Sequence, residues 1–383
     1  MKIALLTSDY LPNIGGIASH IYELSKALVE QGNDVEIWYW DRKGESPAAS
    51  RMGEIPVRFI VADPALKGSF KISRQLARSI NASLQDFPAD LLHLHTMDAL
   101  LLSTRRLRKS YRGKIFWTNH SSRFIQRKSE SFFWRLKMKY YTAAIDGLLT
   151  ASNDRLDASR FLNIPQAINV PNGVNIEQFT GVDKESARSQ LSIDQNIFVI
   201  LYTGRFAPIK GVRYLAQALV ELNQRADNFI CIMCGNIDGD RESASVKAIM
   251  DAGNSAHRYR FEGFIPNAQL KVFLAACDVL VLPSLQEATS ISGLEAMAAS
   301  RPIVGTRIGG ITELIDDGVH GILVNPKDPD DLCKGLQQAM TADTLETMGK
   351  NAHLRVEQRF TWQKTAQSIE EFYCTVSNIK EVQ

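Results

Sequence analysis

Two carboxylates, Glu287 and Glu295, are separated by seven residues in Pro283-Ser284-Leu285-Gln286-Glu287-Ala288-Thr289-Ser290-Ile291-Ser292-Gly293-Leu294-Glu295-Ala296-Met297-Ala298. The apolar run Ala276–Leu282 before them reads as a buried strand, and Gly293–Ala299 reads as a helix. One acid then stands in a loop and the other in a first helical turn. Free amides at a helix start beside two hydrogen-bond acceptors suit a ligand that is both an anion and a polyol. A simpler reading stands beside it: Ser292-x-x-Glu295 also fits a capping box, in which the acid reaches back to its own helix start.

Other residues bear on the same chemistry. Thr203-Gly204-Arg205-Phe206-Ala207-Pro208-Ile209-Lys210-Gly211 sets two cations beside a helix start. Arg binds a diphosphate by forked hydrogen bonds and Lys as a point charge. Gly15-Gly16, between the first strand and the first helix, lets backbone approach a ligand, or is a structural turn. It is not G-x-G-x-x-G, so a dinucleotide fingerprint is missing. His120 follows a predicted strand. His93 and His95 alternate on another, His93 reading as packed and His95 as nearer the strand's mouth. No pair has convincing metal-ligand spacing, and H-E-x-x-H, Gly-x-Ser-x-Gly and Walker patterns are missing, so no essential metal is expected.

The elements that must carry these residues alternate strand and helix, the signature of parallel sheets with crossover helices. Predicted strands in the first half are Lys2–Thr7, Asp34–Tyr39, Val57–Val61, Leu91–Leu94, Lys114–Thr118 and Gly147–Thr150. The pattern restarts at Asn196–Thr203 and continues through Phe229–Cys234, Tyr259–Glu262, Val279–Leu282, Ile303–Gly305 and Gly321–Val324. The turn-rich Val170–Asn175 marks the join. With 383 residues, two domains are expected, 1–170 and 171–360, each a Rossmann-like lobe, with ligand binding expected in a cleft between them. The five cysteines are irregularly spaced. Cys231-x-x-Cys234 sits on a strand with its thiols on opposite faces, which implies buried structural roles and a reducing, cytoplasmic setting. No apolar run is long enough to span a bilayer, and the N-terminus reads as a first strand rather than a signal peptide.

Taken together these residues resemble the retaining glycosyltransferases of the GT-B fold, in the group 1 family. The resemblance rests on Gly15-Gly16, Thr118-x-His120, Pro171-Asn172-Gly173-Val174-Asn175, Gly204-Arg205-x4-Lys210-Gly211, Phe261-x-Gly263-Phe264-Ile265, Glu287-x7-Glu295 and Gly309-Gly310-Ile311-x-Glu313. It covers nearly the whole chain. It implies an α/β architecture of two Rossmann-like lobes facing a central cleft, with the helix Trp362–Ser377 in 361–383 returning to the first, acceptor-binding lobe. It implies a UDP-, GDP- or ADP-sugar donor on the second lobe, retention of anomeric configuration, and no cofactor or metal. Arg205 and Lys210 would hold the diphosphate and Glu287 the sugar hydroxyls. Ser290, Ile291 and Ser292 would meet sugar and phosphate, Glu295 the ribose, and Phe264 and Ile265 the base. His120, with Gly15 and Gly16, would lie near the transferred sugar. Ala288-Thr289-Ser290 replaces the Gly-Phe-Gly common after the first acid, so the donor sugar cannot be assigned by analogy.

Charge points to the acceptor. Net charge is +2, yet Leu101–Tyr141 holds twelve Lys and Arg against one acid, Glu130, interleaved with aromatics. Such a segment suits an anionic membrane surface or a phosphate-bearing acceptor; it also reads as solvated helix faces over core aromatics. A lipid-linked or glycan acceptor is expected, with peripheral contact to the inner face of the cell membrane. The alternatives are a small phosphorylated acceptor or a non-catalytic nucleotide-sugar-binding subunit. No recognised nucleic-acid module accompanies the patch.

Overall fold

The computed structural model describes residues 1–9, 16–42, 51–121, 132–235 and 241–377. Gly15 and the middle of the basic segment (122–131) lie outside them. The chain divides into two units. One comprises Met1–Asn172 with Trp362–Gln383, the other Gly173–Thr361.

In the first unit, eight strands form one sheet: β1 Lys2–Thr7, β2 Asp34–Trp40, β3 Arg51–Met52, β4 Ile55–Ile60, β5 Leu91–Leu94, β6 Lys114–Asn119, β7 Gly147–Thr150 and β8 Gln166–Asn169. Their order is β3-β4-β2-β1-β5-β6-β7-β8, parallel except for the β3–β4 hairpin. β1 is fully apolar from Ile3 to Leu6 because both faces are covered. Leu6, Leu92, Trp117 and Leu148 pack on one face. Ile3, Leu5, Phe116 and Leu149 pack on the other, against the helices Gly16–Glu30 and Trp362–Ser377. The last helix buries Trp362, Ala366, Ile369, Phe372 and Tyr373 there, as the family resemblance implies. Gly32, at φ +85°, ends the first helix.

The second unit carries six parallel strands: β9 Phe198–Thr203, β10 Phe229–Cys234, β11 Tyr259–Gly263, β12 Val279–Leu282, β13 Ile303–Thr306 and β14 Gly321–Val324, in the order β11-β10-β9-β12-β13-β14. Cys231 and Cys234 are buried on opposite faces of β10 and are not bridged. Burial drives the Cys234 thiol up to about 12, so it stays a thiol.

Strand order fixes where a ligand can sit. In each sheet the first strand in the chain has its successor on one side and a later strand on the other. That occurs at β1 between β2 and β5, and at β9 between β10 and β12. At these switch points the crossovers diverge and leave a crevice beyond the strands' carboxyl ends.

Candidate functional site

At the second unit's switch point the loop after β9 carries Arg205 and Lys210, and the loop after β12 carries Glu287. The two loops are joined. The Leu285 amide donates to Ile209 O at 2.8 Å, and Lys210 Nζ reaches Glu287 Oε2 at 2.5 Å. Ser284 Oγ also donates to Glu287 Oε2 at 3.3 Å, and Thr306 Oγ1 fixes the loop by donating to Ser284 O at 2.5 Å. Gly211, at φ +69°, lets the loops meet: a Cβ there would lie 1.9 Å from Pro283 O. Tyr202 Oη donates to Arg205 O at 2.8 Å, holding that backbone while the Arg205 side chain stays exposed.

The third part is the helix Ile291–Ala298, which begins two residues earlier than its sequence suggests. Ser290 is the N-cap, its hydroxyl accepting from the Gly293 amide at 3.2 Å. The capping box at Ser292 and Glu295 is therefore overturned: Ser292 lies inside the helix, and Glu295 is in the second turn rather than the first. The amides of Ile291 and Ser292 have no intrahelical acceptor and carry the positive end of the helix dipole. Glu295 is 8% exposed and its carboxyl has no hydrogen-bond partner among the described residues. Burial raises its carboxyl to about 8. Gly309–Leu314 backs this loop, the Gly310 amide donating to Glu287 O at 3.3 Å.

Phe264 and Ile265 follow β11, Phe264 exposed and Ile265 packed on the core. The unit thus gathers two cations, two carboxyls, open helix-start amides and an exposed aromatic at strand carboxyl ends. These groups can hold an anion and several hydroxyls.

In the first unit, Ser8 and Asp9 after β1, His95 after β5 and His120 after β6 line a cavity of about 450 Å³, joined by Ile17, Arg42 and Thr118. Gly16 opens the first helix. His93 is packed, as predicted, between Tyr373 Oη at 2.5 Å and Thr118 Oγ1 at 2.7 Å. His95 lines the cavity but is 1% exposed; its Nδ1 lies 3.1 Å from His120 Nε2. Burial leads the causes that hold His120 well below the usual imidazole range, followed by repulsion from His20, were both rings protonated, and from Arg155, so it is neutral at pH 7. Sequence reading missed His20, on the second turn of the first helix, with Nδ1 2.9 Å from Asn172 Oδ1 and its ring 4.8 Å from that of His120. The signal was its place just inside the helix that follows β1.

Two parallel-sheet units of this order, with their loops at the strand ends, define a GT-B-type fold. The chain matches the family described as glycosyl transferases group 1 over residues 183–373, and that described as glycosyltransferase family 4 over residues 14–178. An uncharacterised glycosyltransferase of Methanocaldococcus jannaschii is 25% identical, the alignment covering 97% of this chain and 98% of that one. Among solved structures, sucrose-phosphate synthase from Thermosynechococcus elongatus superposes with TM-score 0.82 at 22% identity, over 99% of this chain and 100% of that one. Anabaena HepE in complex with UDP and glucose superposes with TM-score 0.78 at 20% identity, over 98% and 100%. This chain belongs to the group 1 glycosyltransferases and is an enzyme of that class.

Proposed function

We propose that this enzyme moves a sugar from a nucleoside diphosphate donor to an acceptor hydroxyl with retention of configuration and without a metal on the diphosphate. The observation that carries the reading is the pairing of Lys210 with Glu287 beside Arg205 and an open helix start, all in one unit. Transfer develops negative charge on the departing diphosphate. Fixed cations and helix-start amides neutralise it without reorganising. Glu287, already shared by Lys210 and Ser284, is a hydroxyl acceptor rather than a free base. The departing phosphate then takes the acceptor proton from the face it leaves. His120, neutral, orients the sugar and does not take the acceptor's proton. Glu295 takes the ribose hydroxyls and Phe264 the base. The HepE complex with UDP and glucose supports a uridine donor by likeness of fold.

The carboxyl of Glu295 links donor binding to pH. Ribose hydroxyls donate to its ionised form, whereas the free protein keeps it protonated to about 8. UDP binding at pH 7 is therefore expected to release close to one proton and to tighten about tenfold per pH unit up to about 8. Calorimetry with UDP, GDP and ADP in two buffers of different ionisation enthalpy, with chelator present, reads base, proton and metal dependence together. Binding with no proton release, or binding abolished by chelator, would sink this reading. The sign for folding is opposite to that of a salt-bridged acid. Between about 4.5 and 8 the folded chain holds a proton that the unfolded chain has lost, so stability falls by about 1.4 kcal/mol per pH unit across that window. Glu295→Gln is expected to melt higher than wild type at pH 8 while releasing no proton on UDP binding.

For the acceptor we propose a lipid-linked substrate met at an anionic membrane surface. The helix Phe132–Thr142 exposes Phe132 at 73% and Phe133 at 79%, with Leu136 and Tyr140, among Arg135, Lys137 and Lys139. Arg105 stacks 3.7 Å over Tyr140, and exposed Phe70 adjoins it. Basic side chains beside unburied rings match a headgroup boundary. Among the described residues no helix is long and apolar enough to cross a membrane. The protein is expected to sediment with anionic vesicles at low salt, and Phe132→Ser/Phe133→Ser to stay in the supernatant. Equal sedimentation with neutral vesicles, or none at all, would remove the membrane from the proposal.

A further inference from the structure

The cavity of about 450 Å³ in the first unit has a charged wall that the proposed transfer leaves unused: Ser8 and Asp9 past β1, Arg42 past β2 and Thr96 past β5. We propose that Arg42 is the specificity-determining residue of an acceptor subsite in this cavity and binds a phosphate carried by a polyol acceptor; this rests on the transfer reaction proposed above and names the class of its acceptor.

The way Arg42 is held is the first ground. Its Nη2 donates to Ser8 Oγ at 2.8 Å and to Asp98 Oδ2, and its guanidinium lies 5.3 Å from the centre of the Trp40 ring. A flexible cation is thereby fixed on the cavity wall before a ligand arrives, which lowers the cost of ordering it on binding. Asp98 is satisfied without it. Its Oδ1 accepts from the Leu100 amide at 2.8 Å, as cap of the helix Ala99–Leu107, and from Thr96 Oγ1 at 3.3 Å. Its Oδ2 accepts from Ser8 Oγ at 2.5 Å. Asp98 therefore positions Arg42 rather than the reverse. A guanidinium has five N–H donors. The hydrogen bonds of Arg42 all use Nη2, so the donors on Nη1 and Nε have no partner among the described residues, and the side chain is 55% exposed. A held guanidinium with donors to spare suits phosphate oxygens.

Asp9 is the second ground. Its half-buried carboxyl makes no hydrogen bond or ion pair among the described residues. Burial raises it above the usual carboxylate range, and the nearby charge of Arg42 pulls it back. An unmatched acceptor in a cavity suits hydroxyl donors. A bare anion on Arg42 would meet repulsion from Asp9, and a neutral sugar on Asp9 would leave Arg42 unmatched. A phosphorylated polyol satisfies both. The acceptor hydroxyl must also reach the sugar that His120 orients, and His120 lines this same cavity. The phosphate is that of a lipid headgroup or of a free ester; the chemistry read by Arg42 is the same.

The test titrates glycerol 3-phosphate into the full-length protein at saturating UDP, which occupies Arg205 and Lys210, and follows the phosphorus NMR line width. Saturable broadening is expected, with affinity lowered about tenfold or more in Arg42→Lys and Arg42→Gln and UDP affinity unchanged in both. Arg42→Lys keeps a cation beside Asp98 and should melt as wild type, so its loss of phosphate reads recognition rather than folding. Arg74→Gln, at an exposed cation of the helix Ser69–Asp86, should bind as wild type. A second arm replaces the ester by phosphatidylglycerol vesicles. Because lysine keeps the charge, general attraction to the surface persists in Arg42→Lys. A loss confined to the soluble ester identifies a free phosphorylated acceptor, and a loss on vesicles identifies a lipid-linked one; either supports the subsite. Binding independent of Arg42 in both arms, or no binding in either, would overturn it. Wild-type protein that does not bind UDP would count against the donor reading instead, and the same titration without UDP would still decide on Arg42.

Discussion

Arg205→Ala/Lys210→Ala is expected to lower kcat/KM by about 10⁴-fold, each fixed donor to the developing oxyanion contributing roughly 10²–10³. Arg205 is exposed and its guanidinium makes no hydrogen bond or ion pair among the described residues, so its loss should leave the fold alone. Lys210 differs, because it shares the half-buried carboxylate of Glu287. Its removal leaves that acid with Ser284 as a remaining partner and costs about 1–3 kcal/mol of stability. Rates and melting temperature measured together separate the two effects. The single Arg205 variant should lose rate with an unchanged melt. Turnover within tenfold of wild type in the double variant would remove both cations from leaving-group stabilisation and leave the mechanism without its main electrostatic term.

Gly310→Ala should be the most damaging single methyl in the second unit. A Cβ there would lie 1.5 Å from Ala288 O and 2.3 Å from Ala288 C, far inside the roughly 3.5–4.0 Å of ordinary contact. The loop Glu287–Ser290 must move outward, taking with it the carboxylate held by Lys210 and the cap of Ile291–Ala298. A stability loss of about 1–3 kcal/mol is expected, with at least tenfold weaker UDP binding. Thr312→Ala, at an exposed position of the same short helix, should do neither. Retained UDP affinity in a destabilised Gly310→Ala protein would show that this backing helix does not set the geometry of the Glu287 loop.

What could be read in advance follows from how each feature is encoded. Lys2–Thr7, Leu91–Leu94, Gly147–Thr150, Phe229–Cys234, Val279–Leu282 and Gly321–Val324 agree with β1, β5, β7, β10, β12 and β14 end to end. Parallel strands covered on both faces are short apolar runs that stop at turn residues. Short helices are harder: Lys184–Gln190 is polar and depends on Asp183 accepting from the Ser186 amide, a signal lost among many such residues. The start of Ile291–Ala298 was misplaced because Gly293 resembles a boundary. It is a packing glycine instead, where a Cβ would come within 3.1 Å of Leu314 and 3.2 Å of Leu282. Arg205, Lys210 and Glu287 were legible as types at strand ends. The Lys210–Glu287 bond was not, because it depends on β9 and β12 being neighbours. His20 went unread for a related reason: a lone histidine in an amphipathic helix has no meaning until β1, β5 and β6 lie side by side.

The helix Trp362–Ser377 belongs to the first unit, although the whole of Gly173–Thr361 separates it from the rest of that unit in the chain. During synthesis the second unit is therefore complete, and free to fold, before the first has all its parts. The nascent first unit waits on the ribosome with one wall of its core uncovered. Its polar centre waits too, because Tyr373 supplies the hydroxyl that engages His93 beside His95. The histidine cavity therefore takes its final form only after the helix Trp362–Ser377 has been made, later in synthesis than the whole second unit.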